Sequence, residues 1–238
     1  MKRISIVGLC LAAVCVFSAG VASSASADLK AQLKGGGSIV GTTFLSSATA
    51  PKLVTKAGKE INCTDATNHG KFLTPTLGDV LIRFLGCTAK EGLTVNCNSV
   101  GGGTGEIHLP LTTLFHLGLA QLGATTGIPA LVILPAPFTI KCTTLVTIEI
   151  RGNVIGALQK ENGEPIELGK PLSELNLNFQ QISNGVQDLR LIVMPGGTTP
   201  TTYDLESSFN KGTFELSSEV ANAKLDGFSN GEIEFVEP

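Results

Sequence analysis

The sequence predicts an all-β protein of packed antiparallel sheets, sandwich-like and stabilised by disulfides. Three observations carry this: apolar and polar residues alternate with period two along most of the chain, glycine-containing turn pairs separate the alternating runs, and an even set of cysteines follows an export signal. A period of two places successive side chains on opposite faces of a strand, so each run implies one buried face.

The chain starts with Met1, Lys2 and Arg3, then the apolar run ISIVGLCLAAVCVF and the small-residue stretch SAGVASSASA. This is the pattern of a secretory signal peptide over residues 1–27, cleaved after Ala27. Its apolar core is shorter than the ~20 residues a spanning helix needs, and no later segment is long and apolar enough to span, so no transmembrane segment is expected after cleavage. Cys10 and Cys15 follow the bulky Leu9 and Val14, where lipid attachment requires a small residue, and both are read as apolar residues of the signal. The mature chain, 28–238, reads as one all-β domain. A subdivision near residue 160 stays open, because QKENGEPIELGKP (159–171) suits either a long hairpin loop or a boundary. Losing Lys2 and Arg3 leaves 15 of the 17 basic residues against 20 acidic ones, a net charge of −5. That balance gives no basis for binding nucleic acid and suits a secreted protein, extracellular or at the cell surface.

Four cysteines remain: Cys63, Cys87, Cys97 and Cys142. In an exported chain they imply two disulfides, with three connectivities open. No CxxC pair is present and His69, His108 and His116 lack ligand spacing, so no metal site is expected. The short turn in GCTAKEGLTVNC (86–97) favours Cys87 with Cys97, which leaves Cys63 with Cys142. Ile61, Val95 and Ile140 share parity with Cys63, Cys97 and Cys142. Cys87 is out of phase with Val80, Ile82 and Phe84 unless Gly86 forms a bulge.

The strand runs follow in order. LTVNC places Leu93, Val95 and Cys97 on one face; FTIKC does so with Phe138, Ile140 and Cys142, and VTIEIR with Val146, Ile148 and Ile150. LNLNFQ repeats the rule with Leu175, Leu177 and Phe179, and EIEF with Ile233 and Phe235. Asn162-Gly163, Asn184-Gly185 and Asn230-Gly231 supply the positive-φ residues of tight turns. PLTTLFHLGLAQL also fits a helix opened by Pro110; its place between glycine-rich breaks favours a strand.

Motifs for chemistry are scarce. GGGTG (101–105) lacks the Lys-Ser/Thr of a phosphate loop, and there is no GxSxG elbow. Glu232, Glu234 and Glu237 cluster near the end, where Glu232 and Glu234 share a polar strand face. Asp65-Ala-Thr-Asn-His-Gly70 lacks the ligands of a calcium loop, and Asn62-Cys63-Thr64 matches the glycosylation acceptor pattern, where a glycan fits only on an exposed face. With no Trp and a single tyrosine, Tyr203, the chain lacks platforms for stacking on sugars.

The ordered segments INCT, FLGCTAKEGLTVNC, GTGEIHLPL, PFTIKC, VTIEIRGNVIGAL, NFQQISNGVQ and ANAKLDGFSNGEIEF resemble a large group of uncharacterised secreted β-rich proteins of actinobacteria. The likeness spans nearly the whole mature chain, and FHLGLAQLG departs from it by being more aliphatic. The resemblance implies no activity, catalytic residue or cofactor. The expected function is therefore that of a noncatalytic secreted or cell-surface protein, structural or interacting with an unidentified extracellular or envelope partner. Two alternatives remain, a secreted hydrolase and a binder of a small apolar ligand between sheets, lined partly by Leu111 to Leu134. A deep apolar pocket favours the binder, and clustered carboxylates or a histidine favour the hydrolase.

Overall fold

The computed structural model describes residues 29–91, 93–123, 125–142 and 146–237. The expected signal segment, residues 1–27 with Cys10 and Cys15, lies outside them, as does the side chain of Leu93. Among the described residues there are strands and no helix. The chain opens with β1 (Lys30–Leu33), runs through β2 (Thr43–Thr49) into β3 (Lys52–Thr55), and returns as β4 (Glu60–Asn62) and β5 (Asp65–Phe72). It doubles back as β6 (Leu77–Leu85) and β7 (Thr88–Glu91). One register runs through each neighbouring pair: Thr43 faces Lys71 and Val54 faces Glu60, while Phe72 faces Gly78 and Ile61 faces Ala89. Two short strands in succession are thus one long stave, interrupted where the backbone kinks.

The middle of the chain gives β8 (Leu93–Asn96), β9 (Asn98–Ser99), β10 (Ile107–His108), β11 (Leu114–Leu122), β12 (Thr125–Leu134), β13 (Phe138–Lys141), β14 (Thr147–Gly152) and β15 (Val154–Gln159). The segment that fitted both a helix and a strand is therefore strand from Leu114. The last part forms β16 (Leu175–Phe179), the small β17 (Gln181–Ser183) and β18 (Val186–Gln187), β19 (Leu191–Val193), β20 (Thr201–Thr202), β21 (Leu205–Phe209), β22 (Glu215–Asp226) and β23 (Ile233–Val236). Residues 160–174 form the loop between β15 and β16, which pair directly from Ala157 with Asn178 to Gln159 with Asn176. The glycines of the three expected turns all take positive φ: 82° at Gly163, 66° at Gly185 and 98° at Gly231.

The antiparallel sheets pack face to face by closing on themselves. At one level the pairing runs β2, β5, β6, β11, β12, β15, β16, β22 and back to β2. At the other it runs β3, β4, β7 and β8, passes through Cys97 into β9, and continues β13, β14, β21, β22 and back to β3. The two rings share the twelve residues of β22, so they stack into one eight-staved barrel. A bulge at Ala50, with φ of 51°, shifts the register against β22 by one between Ala48–Ala223 and Lys52–Val220. That shift carries the inward phase from Phe44, Ser46 and Ala48 to Leu53 and Thr55. Gly86, with φ of 60°, sits where the third stave makes the same change, from Phe84 to Cys87 and Ala89.

One end of the barrel is filled by aromatic rings. Phe44, Phe72, Phe115 and Phe228 stand 5.2 to 6.1 Å apart, with Phe72 and Phe115 edge to face at 87°. Gly70 and Gly78 make the room: a Cβ at Gly78 would lie 2.2 Å from the Phe115 ring and 2.3 Å from the Lys71 carbonyl. A second core lies outside the wall, where Leu189 and Ile192 cover Ala120, Ala130, Val132 and Ile155. This explains why the stretch from Leu114 to Leu134 lacks clean alternation. Phe115, Leu117, Leu131 and Ile133 point inward while the intervening residues are covered from outside, so both faces are apolar.

The seventh stave is broken. β16 ends opposite Ala221 and β21 starts opposite Ser217, and residues 180–204 leave the wall between them. Side chains replace the missing backbone. The buried Gln187 accepts from the Ile155 amide at 3.2 Å and donates to the Asn153 carbonyl at 3.1 Å, while Ser218 donates to Gln181 at 2.9 Å. The base of the excursion is tied by Arg190, whose Nε and Nη2 donate to the two carboxylate oxygens of Asp204 at 2.5 and 2.8 Å. Gln187→Leu leaves the buried Ile155 amide and the half-buried Asn153 carbonyl without these partners and is expected to lower unfolding free energy by roughly 1–3 kcal/mol. Urea denaturation measures it; a loss below about 0.5 kcal/mol contradicts the stand-in role.

Candidate functional site: the barrel lumen

Inside the barrel two cavities abut, of about 80 and 40 Å³. The larger is walled by Leu53, Ile61, Phe84, Phe138, Ile140 and Leu205, the smaller by Phe44, Val80, Phe115, Leu177, Phe179 and Leu225. Ile133 and Glu219 border both. Together their volumes approach the ~150 Å³ at which an apolar protein cavity stays dry and takes up benzene.

Glu219 arrives there by strand parity. Ser217, Glu219, Ala221, Ala223 and Leu225 are the inward-facing residues of β22, and Glu219 stands opposite Leu53 on β3, level with the gap in the seventh stave. Glu219 is half-buried, with its side chain on the walls of both cavities and protein packed densely around the carboxyl. Among the described residues it has no hydrogen-bond or ion-pair partner. Removal from water alone pushes its pKa up to about 7. The smaller cavity also holds Asn68, whose Nδ2 donates to Ser46 Oγ at 3.1 Å while its buried Oδ1 has no partner. The only other ionisable side chain on the described walls is Lys52, whose ammonium meets Glu60 at 3.4 Å.

The four cysteines lie side by side across four neighbouring staves, and Cys63 borders the larger cavity. They bond Cys63 to Cys87 and Cys97 to Cys142, with Cα atoms 3.9 Å apart in each pair. This corrects the expected pairing of Cys87 with Cys97 and Cys63 with Cys142. The register of the ladders explains it. Asn62 faces Thr88 and Asp65 faces Leu85, which sets Cys63 opposite Cys87; Lys141 faces Asn98, which sets Cys142 opposite Cys97. The amides of Cys63 and Cys142 turn away from these partners, to the carbonyls of Pro51 and Val146, whereas the Cys97 amide donates to the Cys87 carbonyl at 2.9 Å. Cys87 and Cys97 are thus neighbours through a backbone hydrogen bond, and the bridges span the non-hydrogen-bonded pairs, where side chains come closest.

The remaining candidates are dispersed. His69 is exposed on the outer wall, and His116, also outward, is half-buried, so desolvation lowers its pKa. His108 Nε2 lies 3.3 Å from Glu106, and the Ser99 hydroxyl beside it is bonded to the backbone of His108, not its imidazole. Gly101 to Gly105 form the loop between β9 and β10. Asp65 to Gly70 belong to β5, with Asn62 exposed at the end of β4. Glu232 pairs with Lys34 at 2.7 Å and Glu234 accepts from Gln32 at 3.1 Å, both on the ribbon of β1 and β23; Glu237 lies exposed just beyond it. Among the described residues no group of three or more His, Cys, Asp or Glu is placed to hold a metal, and no helix is long and apolar enough to cross a membrane.

Glu219 and Asn68 were missed by reasoning from the sequence. The available signal was a glutamate in phase with Ser217, Ala221, Ala223 and Leu225, at a position where alternation demands a small or apolar residue. No known protein family, no curated protein and no solved structure matches the chain.

Proposed function

We propose that the protein is an exported, noncatalytic binder that holds a small apolar ligand inside its barrel. The observation that carries this reading is the pair of abutting apolar cavities in the lumen, bordered in common by Ile133 and Glu219. A barrel of eight staves ordinarily fills its interior with side chains or encloses one small ligand, and here Ala48, Ala66, Ala221 and Ala223 line the wall where bulkier residues would close the space. Export is supported by the signal-like first 27 residues and by two disulfides, which persist in oxidising compartments. The resemblance to secreted actinobacterial proteins is consistent with that destination. A hydrolase needs a nucleophile or an acid–base pair converging on a pocket, and among the described residues no second titratable group is aimed at Glu219.

Titration with toluene, followed by methyl NMR, tests the reading. The methyl signals of Ile133, Ile140 and Leu205 are expected to shift with saturation, while those of Leu189 and Ile192 outside the wall stay in place. Shifts confined to the outer methyls, or none at all, would sink it.

A further inference from the structure

We propose that the lumen is selective for a small apolar amine, carried as its ammonium ion against the carboxylate of Glu219 with its hydrocarbon body among Ile133, Phe138 and Leu205. This rests on the reading of the lumen as a ligand site and names the chemical class it takes.

Two acceptors on the cavity wall lack partners among the described residues. Glu219 offers carboxylate oxygens and Asn68 offers Oδ1, so both present acceptors to the same cavity. An acceptor left unpaired in an apolar interior costs free energy until a donor reaches it. A ligand that only fills space, such as a hydrocarbon, leaves that cost in place, and a carboxylic acid adds a like charge. An ammonium group brings three donors and the opposite charge. The usual objection to a buried ion pair is the desolvation of both partners. Here much of the carboxyl's desolvation is already in place in the folded protein, so the added cost of association falls mainly on the ligand. The fold does not satisfy the charge itself: Lys52, the one lysine on the described walls, is held by Glu60.

The cavity sizes limit the body of the amine. Volumes of about 80 and 40 Å³ suit one ring or a short branched chain and are too small for a fatty chain or a sterol. Glu219 sits where the two spaces meet, so the charged end lies at the centre and the body occupies the larger cavity.

A dependence on pH follows. Binding requires Glu219 ionised and the amine protonated. The groups facing Glu219 from the packed staves are Leu53 on β3, Ile133 on β12, Ser217 and Ala221 on β22, and the Asn68 amide on β5, none of which titrates. Lys52 on β3, paired with Glu60 on β4, is the other charged side chain on the larger cavity's described wall. The affinity is therefore expected to rise about ten-fold between pH 6 and pH 8 as the carboxyl loses its proton near 7, and to fall only as the amine is deprotonated around pH 10.

The test is calorimetric titration of the full mature protein with benzylamine and with toluene, on the parent chain and on Glu219→Gln. At pH 8 benzylamine is expected to bind the parent at least ten-fold more tightly than toluene, and Glu219→Gln to lose that preference while still binding toluene. Toluene binding as well as benzylamine, with the ratio unchanged in Glu219→Gln, would overturn the amine assignment and leave the lumen reading standing. Binding of neither compound by either protein would overturn both.

Discussion

Replacing Glu219 with glutamine is expected to stabilise the ligand-free protein by about 3 kcal/mol at pH 8 and to leave it nearly unchanged at pH 4. Burial raises the folded-state pKa of this carboxyl to about 7, while in the unfolded chain it titrates near the ordinary glutamate value of 4.5. Between those values the folded state holds a proton that the unfolded state has released, so stability is complete below the lower value and is lost as pH rises through the upper one. Glutamine cannot ionise and keeps the full stability. For a chain of this size the gain corresponds to roughly 6–12 °C in melting temperature. Melting curves of the two proteins from pH 4 to pH 9 check it. Parallel curves, with no divergence between pH 5 and pH 8, would mean that the carboxyl reaches water or a cation in solution. Saturating benzylamine should close the gap at pH 8 from the parent side, because it supplies the counter-charge.

Removing the Cys97–Cys142 bridge by a double change to alanine is expected to cost about 4 kcal/mol, and removing Cys63–Cys87 about 3.5 kcal/mol. These figures come from the loss of chain constraint over sequence separations of 45 and 24 residues. Both bridges join staves of the lower ring, where β7 to β9 and β13 are two to four residues long. These short strands offer few ladder hydrogen bonds, and Cys63 borders the larger cavity. Reduction should therefore weaken toluene binding at concentrations of reductant that leave the upper ring folded, read by far-UV circular dichroism alongside the titration. Peptide mapping without reduction is expected to recover Cys63 linked to Cys87 and Cys97 linked to Cys142. A Cys87–Cys97 peptide in protein refolded under oxidising conditions would contradict the ladder register.

The pairing shows where sequence patterns stop being informative. Alternation assigned Val95, Ile140, Ile148, Leu177 and Phe235 to strands correctly, because burial of one face is a local property. It cannot distinguish a hydrogen-bonded pair from a non-hydrogen-bonded one, since both place side chains on the same face. Cys87 and Cys97 are close in sequence and directly opposite, yet the backbone bond between them turns their closest approach outward to Cys63 and Cys142. The change of phase at Gly86 was visible in the sequence, whereas its counterpart at Ala50 was not, because only the register against β22 reveals it. The closure of the sheets depends on β22 pairing with β2 and β3, some 170 residues earlier in the chain, which no local pattern encodes. Glu219 was legible in principle, as the charged member of an otherwise small and apolar phase. It reads as an ordinary surface residue until the outer covering and the inward phase of β22 are known.

On the proposed reading the barrel holds an apolar receptacle centred on Ile133 and Glu219. Diffraction from crystals pressurised with xenon addresses it most directly, because xenon enters apolar cavities without needing a polar contact. The expected result is a principal xenon site between Ile133, Phe138, Ile140 and Leu205. A lumen closed by its side chains, with xenon only on the outer surface, would contradict the account.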